Sequence, residues 1–177
     1  LNSPFTLAEI QQSIRSLSTG KSSSSLPSDF YVGLPVHFSL VLLSLFNRIW
    51  FDESWPSDWS RGIISPIHKG GPHEPSNYRP ISLLDVLSKL FETVLVRRLA
   101  PFLDTRLATE QSGFRTGRST LDGLICLHEV LNARNIDRKT SYVAFLDIKA
   151  AYDTTWRDGL IVKLWSLGVR GKCLRMI

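Results

Sequence analysis

The sequence predicts an α+β fold, several helices with a few short strands, and three observations carry that expectation. Runs with apolar residues at helical spacing outnumber runs that read as strands. The strand-like runs are short, one around Ile63, Ile64 and Ile67 and one over residues 142–146. The chain has 177 residues, 43% of them hydrophobic, with nine Phe, five Trp and four Tyr. That is enough apolar surface for one core and far more than a disordered chain carries.

Taken in order, Thr6-Leu7-Ala8-Glu9 has the form of a capping box, and Leu7, Ile10, Ile14 and Leu17 then share one helical face. This helix should end near Ser18-Thr19-Gly20. Residues 21–29, with four consecutive serines and Pro27, read as a loop. Residues 36–50 are apolar nearly all round and predict a helix packed into the core. Residues 52–60 form a loop around Pro56. Ile63, Ile64 and Ile67 predict a strand that Pro66 confines to an edge or a bulge. Residues 70–80 read as a second loop, flanked by Lys69 and Arg79. Ser82 should cap a long amphipathic helix through Leu103, with Leu87, Leu90, Phe91, Val94, Leu95 and Leu99 on one face and Arg97 and Arg98 on the exposed side. After the Gly- and Arg-containing segment 111–120, Ser119 should cap another helix with Leu124, Leu127 and Leu131 inward and His128 along the same stripe. The apolar run Tyr142-Val-Ala-Phe-Leu146 predicts a strand buried in a sheet, with Asp147 at its end. A turn then leads into a helix from about Thr155, stopped by Gly168.

Charge and composition narrow the function classes. The formal net charge is +5; residues 1–60 hold three basic against five acidic groups, and residues 61–177 hold eighteen against eleven. A basic later part suits a phosphate-rich partner and suits solubility equally well. Cys126 and Cys173 are too few for a disulfide scaffold, and no Cys/His spacing suggests zinc. Both read as buried small hydrophobes in a reducing compartment. No signal-peptide pattern opens the chain, and its most apolar stretch, residues 36–51, is too short to span a bilayer. The expectation is an intracellular protein, nuclear or cytoplasmic, with no membrane. The chain begins at Leu1 and stops after Met176-Ile177, inside the apparent opening of a helix, which reads as a fragment.

Among chemical motifs, Gly20-Lys21-Ser22 fails as a P-loop because Arg15 stands where the first glycine belongs and a helix precedes it. Gly117-Arg118-Ser119 lacks the lysine, and neither a Gly-x-Ser-x-Gly elbow nor a His-Glu-x-x-His helix occurs. Asp147 directly after an apolar strand is well placed to hold a divalent ion, with the Ile148 carbonyl beside it, but a turn or capping aspartate fits it as well. Asp153 suits a helix cap. Lys69 and Arg79 could clamp a triphosphate from the rims of one loop, or could be two solvated charges.

Five segments in order are more specific than any one alone: Ile64-Ser-Pro-Ile-His-Lys69, Asn77-Tyr-Arg-Pro-Ile-Ser82, Lys89-Leu-Phe-Glu92, Glu110-Gln-Ser-Gly-Phe-Arg115 and Phe145-Leu-Asp-Ile-Lys-Ala-Ala-Tyr-Asp153. Together they resemble the reverse transcriptase domain of non-LTR (LINE-type) retrotransposons, over nearly the whole chain. The resemblance implies helix-rich fingers plus the first part of a right-hand polymerase palm, incomplete. Residues 1–60 would be a helical region preceding or within the fingers, 61–140 the fingers with connecting helices, and 141–177 the start of the palm. It implies an RNA-directed DNA polymerase that takes an RNA template, a DNA primer and dNTPs and uses Mg²⁺ (or Mn²⁺). Asp147 would be the first palm aspartate, holding metal with the Ile148 carbonyl. Ala150 and Ala151 would offer backbone N–H groups to the triphosphate. Tyr152 would lie beneath the sugar and exclude a 2′-hydroxyl. Lys69 and Arg79 would neutralise the triphosphate, and Gln111, Arg115 and Arg118 would lie near the template path.

Two departures qualify the resemblance. A Lys-x-x-Gly-x-Asp-Gly segment usual in the family is replaced after Lys21 by Ser22-Ser23-Ser24-Ser25-Leu26-Pro27, which loses the backbone freedom of glycine. The paired aspartates of an aromatic-x-Asp-Asp hairpin are missing, since only Asp153 and Asp158 follow Asp147 as carboxylates. A two-ion site needs more than one carboxylate, so the chain alone is expected not to polymerise DNA. The alternatives are a catalytically dead remnant that at most binds nucleic acid, and a helical protein with no nucleic-acid role.

Overall fold

The computed structural model describes residues 1–18 and 27–177. The first helix ends at Arg15 with Ser16 as its C-cap, earlier than the end expected near Ser18-Thr19-Gly20; the serine run and the Gly20-Lys21-Ser22 segment lie outside the described residues. Seven helices are present among those described: α1 (Leu7–Arg15), α2 (Ser28–Val32), α3 (Val36–Asp52), α4 (Val86–Asp104), α5 (Thr120–Ile136), α6 (Arg157–Ser166) and α7 (Lys172–Arg175). Strands β1 (Ile63–His68) and β2 (Tyr78–Leu83) pair antiparallel as a two-stranded sheet. The architecture is α+β, and it divides into two compact units, Leu1–Leu99 with Val169–Ile177, and Ala100–Gly168.

The first unit holds the core. Thr6 and Glu9 close the expected capping box on α1: the Glu9 carboxylate accepts from the Thr6 N–H at 2.8 Å and the Thr6 hydroxyl accepts from the Glu9 N–H at 3.4 Å. From α3, Leu42, Phe46, Ile49 and Trp50 turn inward, while Val36, Leu40, Val41, Leu45 and Phe51 stay exposed. The helix therefore buries one stripe rather than its whole circumference, because one face at helical spacing is enough to meet α1 and α4. Phe91 of α4 is the hub, with ring centroids of Phe46 at 5.2 Å, Phe5 and Trp55 at 5.5 Å and Trp59 at 5.8 Å. Three of these four pairs are edge-to-face, the arrangement that ring quadrupoles favour.

The expected start of α4 at Ser82 is corrected: Ser82 lies inside β2, opposite Ile64. Asp85 is the cap instead, its carboxylate accepting from the Leu87 N–H at 2.8 Å and its carbonyl from the Lys89 N–H at 3.0 Å. Arg98 is likewise corrected. Arg97 is exposed, but the Arg98 side chain keeps only 11% of its exposure. It grips both Glu9 carboxylate oxygens, donates to the carbonyls of Leu1, Ser3 and Pro4, and lies over the Phe5 ring at 4.5 Å. Asn47 adds a two-sided clamp on the Phe5 backbone, and Trp50 donates to the Asn2 carbonyl. The Asn2 carboxamide accepts from the Cys173 N–H at 2.9 Å. Gly171 allows that approach, since a Cβ there would come within 2.8 Å of Asn2 and its φ is +67°. Arg175 pairs with Glu53 at the end of α3.

In the hairpin, β1 meets the edge expectation and β2 replaces part of the expected loop. Pro66 stands directly opposite Pro80. Neither has an N–H, so the pair must be one whose backbone groups point away from the partner strand. The Lys69 N–H extends the ladder to the Asn77 carbonyl at 2.7 Å.

No residue of the second unit is buried. Ser119 caps α5 as expected, with the Asp122 carboxylate accepting from its N–H at 2.7 Å. Leu127 and Leu131 are half-buried, whereas Leu124 and His128 are exposed. Gly168 ends the α6 segment at φ +96°, the left-handed stop expected of it. The strand expected at 142–146 does not form. Tyr142, Phe145 and Leu146 are 85–95% exposed, because no described strand lies beside them to supply ladder hydrogen bonds. Asp153 does not cap α6, which begins four residues later; its N–H donates to the Ala150 carbonyl at 3.0 Å. Cys126 is exposed and only Cys173 is buried, which corrects the reading of both as buried. No helix among the described residues is long and apolar enough to cross a membrane.

Candidate functional site

The β1–β2 hairpin brings Lys69 and Arg79 together. Arg79 is paired opposite Ile67. Side chains alternate across the pleat, so Lys69, two residues beyond Ile67, falls on the Arg79 face and diagonal to it. Both residues are exposed. The Lys69 ammonium donates to the Ser76 carbonyl at 3.1 Å, which holds it over the 70–77 turn. A diphosphate or triphosphate reaching this face would meet two cations, one of them able to offer a bidentate fork.

In the second unit, Asp147 is exposed, between the exposed Leu146 and Ile148. A tight turn follows. Ala150 adopts φ +51°, which a non-glycine residue adopts at a cost of about 1–2 kcal/mol. Its carbonyl accepts from the Asp153 and Thr154 N–H groups and from the Thr154 hydroxyl, each at 3.0 Å. The Thr155 hydroxyl donates to the Ala151 carbonyl at 2.7 Å. The Tyr152 ring projects 85% exposed from this turn. The described residues contain no group of three His, Cys, Asp or Glu that could hold a metal ion. Asp147 is a single open carboxylate, and the residues present do not by themselves fit a divalent ion.

Arg115 is internal rather than open. Its side chain keeps 8% of its exposure and donates through Nε to Asp104 at 2.7 Å, through one terminal nitrogen to the Ala108 and Gln111 carbonyls, and through the other to the Asp104 carbonyl. The pairing draws the Asp104 carboxyl below the usual carboxylate range and raises the Arg115 guanidinium, the shared hydrogen bond being the largest cause in each. Gln111 and Arg118 are exposed on the loop that this clamp folds, and the Arg118 N–H donates to the Arg115 carbonyl. The sequence grouped these three alike; the structure separates one half-buried organiser, its side chain spent on hydrogen bonds, from two accessible side chains. It also shows a cluster that sequence reasoning passed over, the rings of His68, His73 and Tyr78. His68 and Tyr78 could have been found together had β2 been recognised, because they are opposite in register.

A family profile described as reverse transcriptase (RNA-dependent DNA polymerase) matches residues 67–177. Three Drosophila melanogaster proteins are similar over most of the chain. The probable RNA-directed DNA polymerase from transposon BS is 35% identical over 170 residues, 93% of this chain and 19% of that protein. The probable RNA-directed DNA polymerase from transposon X-element is 36% identical over 135 residues, 74% of this chain and 15% of that protein. The RNA-directed DNA polymerase from mobile element jockey is 35% identical over 137 residues, 73% of this chain and 15% of that protein. The chain thus spans less than a fifth of the length of these curated relatives.

Proposed function

The chain belongs to the reverse transcriptase (RNA-dependent DNA polymerase) family of non-LTR retrotransposons, and from that premise we propose that it forms the nucleotide-facing part of an RNA-directed DNA polymerase, with fingers and the start of a right-hand palm. The observation that carries this reading is the hairpin, which sets Lys69 and Arg79 diagonally on one open face. Phosphoryl transfer depends on positioning and charge neutralisation more than on covalent chemistry, and this face offers both. The fingers then correspond to residues 61–140 and the palm begins at 141.

Ala150 supports the second half of the reading. Its φ of +51° and the three hydrogen bonds to its carbonyl define a tight turn, and a backbone held off its usual angles in this way is consistent with a phosphate-facing role for the Ala150 and Ala151 N–H groups. Tyr152 stands ready to meet the sugar, and Gln111 and Arg118 to meet the template strand, with Arg115 positioning them. Asp147, with the Ile148 carbonyl beside it, would be one part of an Mg²⁺ (or Mn²⁺) site that needs further carboxylates, and a strand pairing alongside residues 142–146 would fix it. RNA template, DNA primer and dNTPs are the partners.

Primer extension on an RNA template by the full-length protein tests this. Lys69→Ala and Arg79→Ala should each raise the KM for dNTP by roughly ten- to a hundredfold, as loss of a charge-assisted contact worth about 1.5–3 kcal/mol requires. Asp147→Asn should abolish extension, and extension at the wild-type rate would overturn the assignment. A second reading, a protein that only binds nucleic acid, is favoured by the serines at 22–25 in place of the family's glycine and aspartate. Salt-dependent RNA binding without any extension would decide for it.

A further inference from the structure

We propose that the face of the hairpin opposite Lys69 and Arg79, built from His68, His73 and Tyr78, is a stacking platform for an unpaired nucleobase of a single strand. His68 and Tyr78 are directly opposed in the ladder, in a pair of the closer kind, and their ring centroids are 5.0 Å apart. His73, from the intervening turn, lies parallel on His68 with centroids 4.5 Å apart and planes inclined by 15°. Its Nδ1 lies 2.9 Å from the Tyr78 hydroxyl, which fixes the ring in the plane of the stack. The His68 Nε2 faces the Pro72 carbonyl at 3.5 Å, and the Asn77 carboxamide donates to the same carbonyl at 2.8 Å. The turn is thereby tied to the strand that carries the platform.

His73 is exposed while His68 and Tyr78 are half-buried, so of the three rings it is the one most open to a flat, unpaired ring. Every base has a π-face, and stacking on it is tolerant of sequence. The Lys69 ammonium, bonded to the Ser76 carbonyl of the turn that carries His73, puts positive charge beside that turn for the phosphates of a strand. The two faces cannot serve one nucleotide. A triphosphate on Lys69 and Arg79 lies across the pleated backbone from the rings. The platform therefore takes a base of a single strand, and this rests on the proposed function only in taking that strand to be the RNA template.

A short single-stranded RNA carrying one 2-aminopurine, titrated into the full chain, tests the platform. Binding should quench the fluorophore as its base stacks. His73→Ala should remove the quenching and weaken affinity roughly fivefold, the equivalent of about 1 kcal/mol per stacked base. His73→Phe should restore both, because the ring and not its nitrogens is what stacks. Lys69→Ala should weaken binding and flatten its salt dependence while leaving the quenching of the bound RNA intact. Unchanged quenching in His73→Ala would overturn the proposal, as would failure of His73→Phe to restore it. Displacement of the quenched RNA by a dNTP alone would show that the rings serve the free nucleotide and would also overturn it. Primer extension is not the readout, so failure here leaves the polymerase reading standing, and loss of extension leaves the platform standing.

Discussion

Replacing Glu9 by Gln isolates the charge that fastens α1 to α4. The side chain keeps its length and can still accept a hydrogen bond from Arg98, so the change is chiefly the loss of a carboxylate. In the native protein the Arg98 guanidinium, hydrogen-bonded to Glu9, holds that carboxyl at about 2 against the usual 4.5. A displacement of that size corresponds to about 3 kcal/mol of differential stabilisation. The Glu9 side chain retains 25% of its exposure, so solvent screening reduces the figure to about 1–2 kcal/mol. The sign follows from the direction of the shift. A lowered folded-state value stabilises the protein fully above the unfolded value of 4.5, and that stabilisation fades as pH falls toward the folded value. Urea unfolding across a pH series should show Glu9→Gln about 1–2 kcal/mol less stable near neutrality, with the two curves converging toward pH 2. All other carboxylates titrate in both proteins, so the gap reports Glu9 alone. A gap that stays constant with pH, or no gap at neutrality, would refute the reasoning.

Phe46→Ala should cost about 3–5 kcal/mol in urea unfolding, since Phe46 is fully buried against Phe91 and Trp59; a loss under 1 kcal/mol would place the core elsewhere. Arg115→Met should speed amide exchange across residues 105–118 while leaving the first unit unchanged, because the guanidinium holds that loop to Asp104. A thiol reagent should label exposed Cys126 at once and buried Cys173, whose thiol burial pushes up, only on unfolding; two equally fast thiols would contradict this. If Tyr152 lies beneath the sugar as proposed, Tyr152→Ala should raise ribonucleotide incorporation relative to deoxyribonucleotide in primer extension, and unchanged sugar selectivity would remove Tyr152 from that role.

What could be read from the sequence was local. Thr6 with Glu9 and Ser119 with Asp122 are capping pairs three residues apart, so the signal and the structure that it makes occupy the same turn. Gly168 is read the same way. β2 escaped because Pro80 suggests a loop and Ser82 a cap, whereas Pro80 sits where its missing N–H would point away from β1 and Ser82 lies opposite Ile64 in the ladder. Arg98 escaped because helical periodicity assigns a face but cannot say that the first five residues of the chain fold back over it. The run at 142–146 is the converse case: its composition suits a strand, but a strand also needs a neighbour, and composition carries no information about one. Of the candidate site residues, Lys69 and Arg79 could be named singly. Their relation depends on the register of a strand that had not been seen. Arg115 had the right composition for nucleic acid and is consumed in folding its own loop.

The opposed prolines at 66 and 80 have a consequence for the company that this hairpin keeps. Each outer edge of a two-stranded ribbon normally offers a row of free N–H groups, and Ile63, Ile64 and Ile67 are 51–65% exposed beside one of them. Such a segment is a template for strand-to-strand aggregation. Here the central donor on each edge is missing, so an incoming strand finds a gap at the middle of its ladder on whichever side it approaches. The prolines act as gatekeepers. They let a greasy, thin blade of chain stay open on both faces without recruiting a third strand.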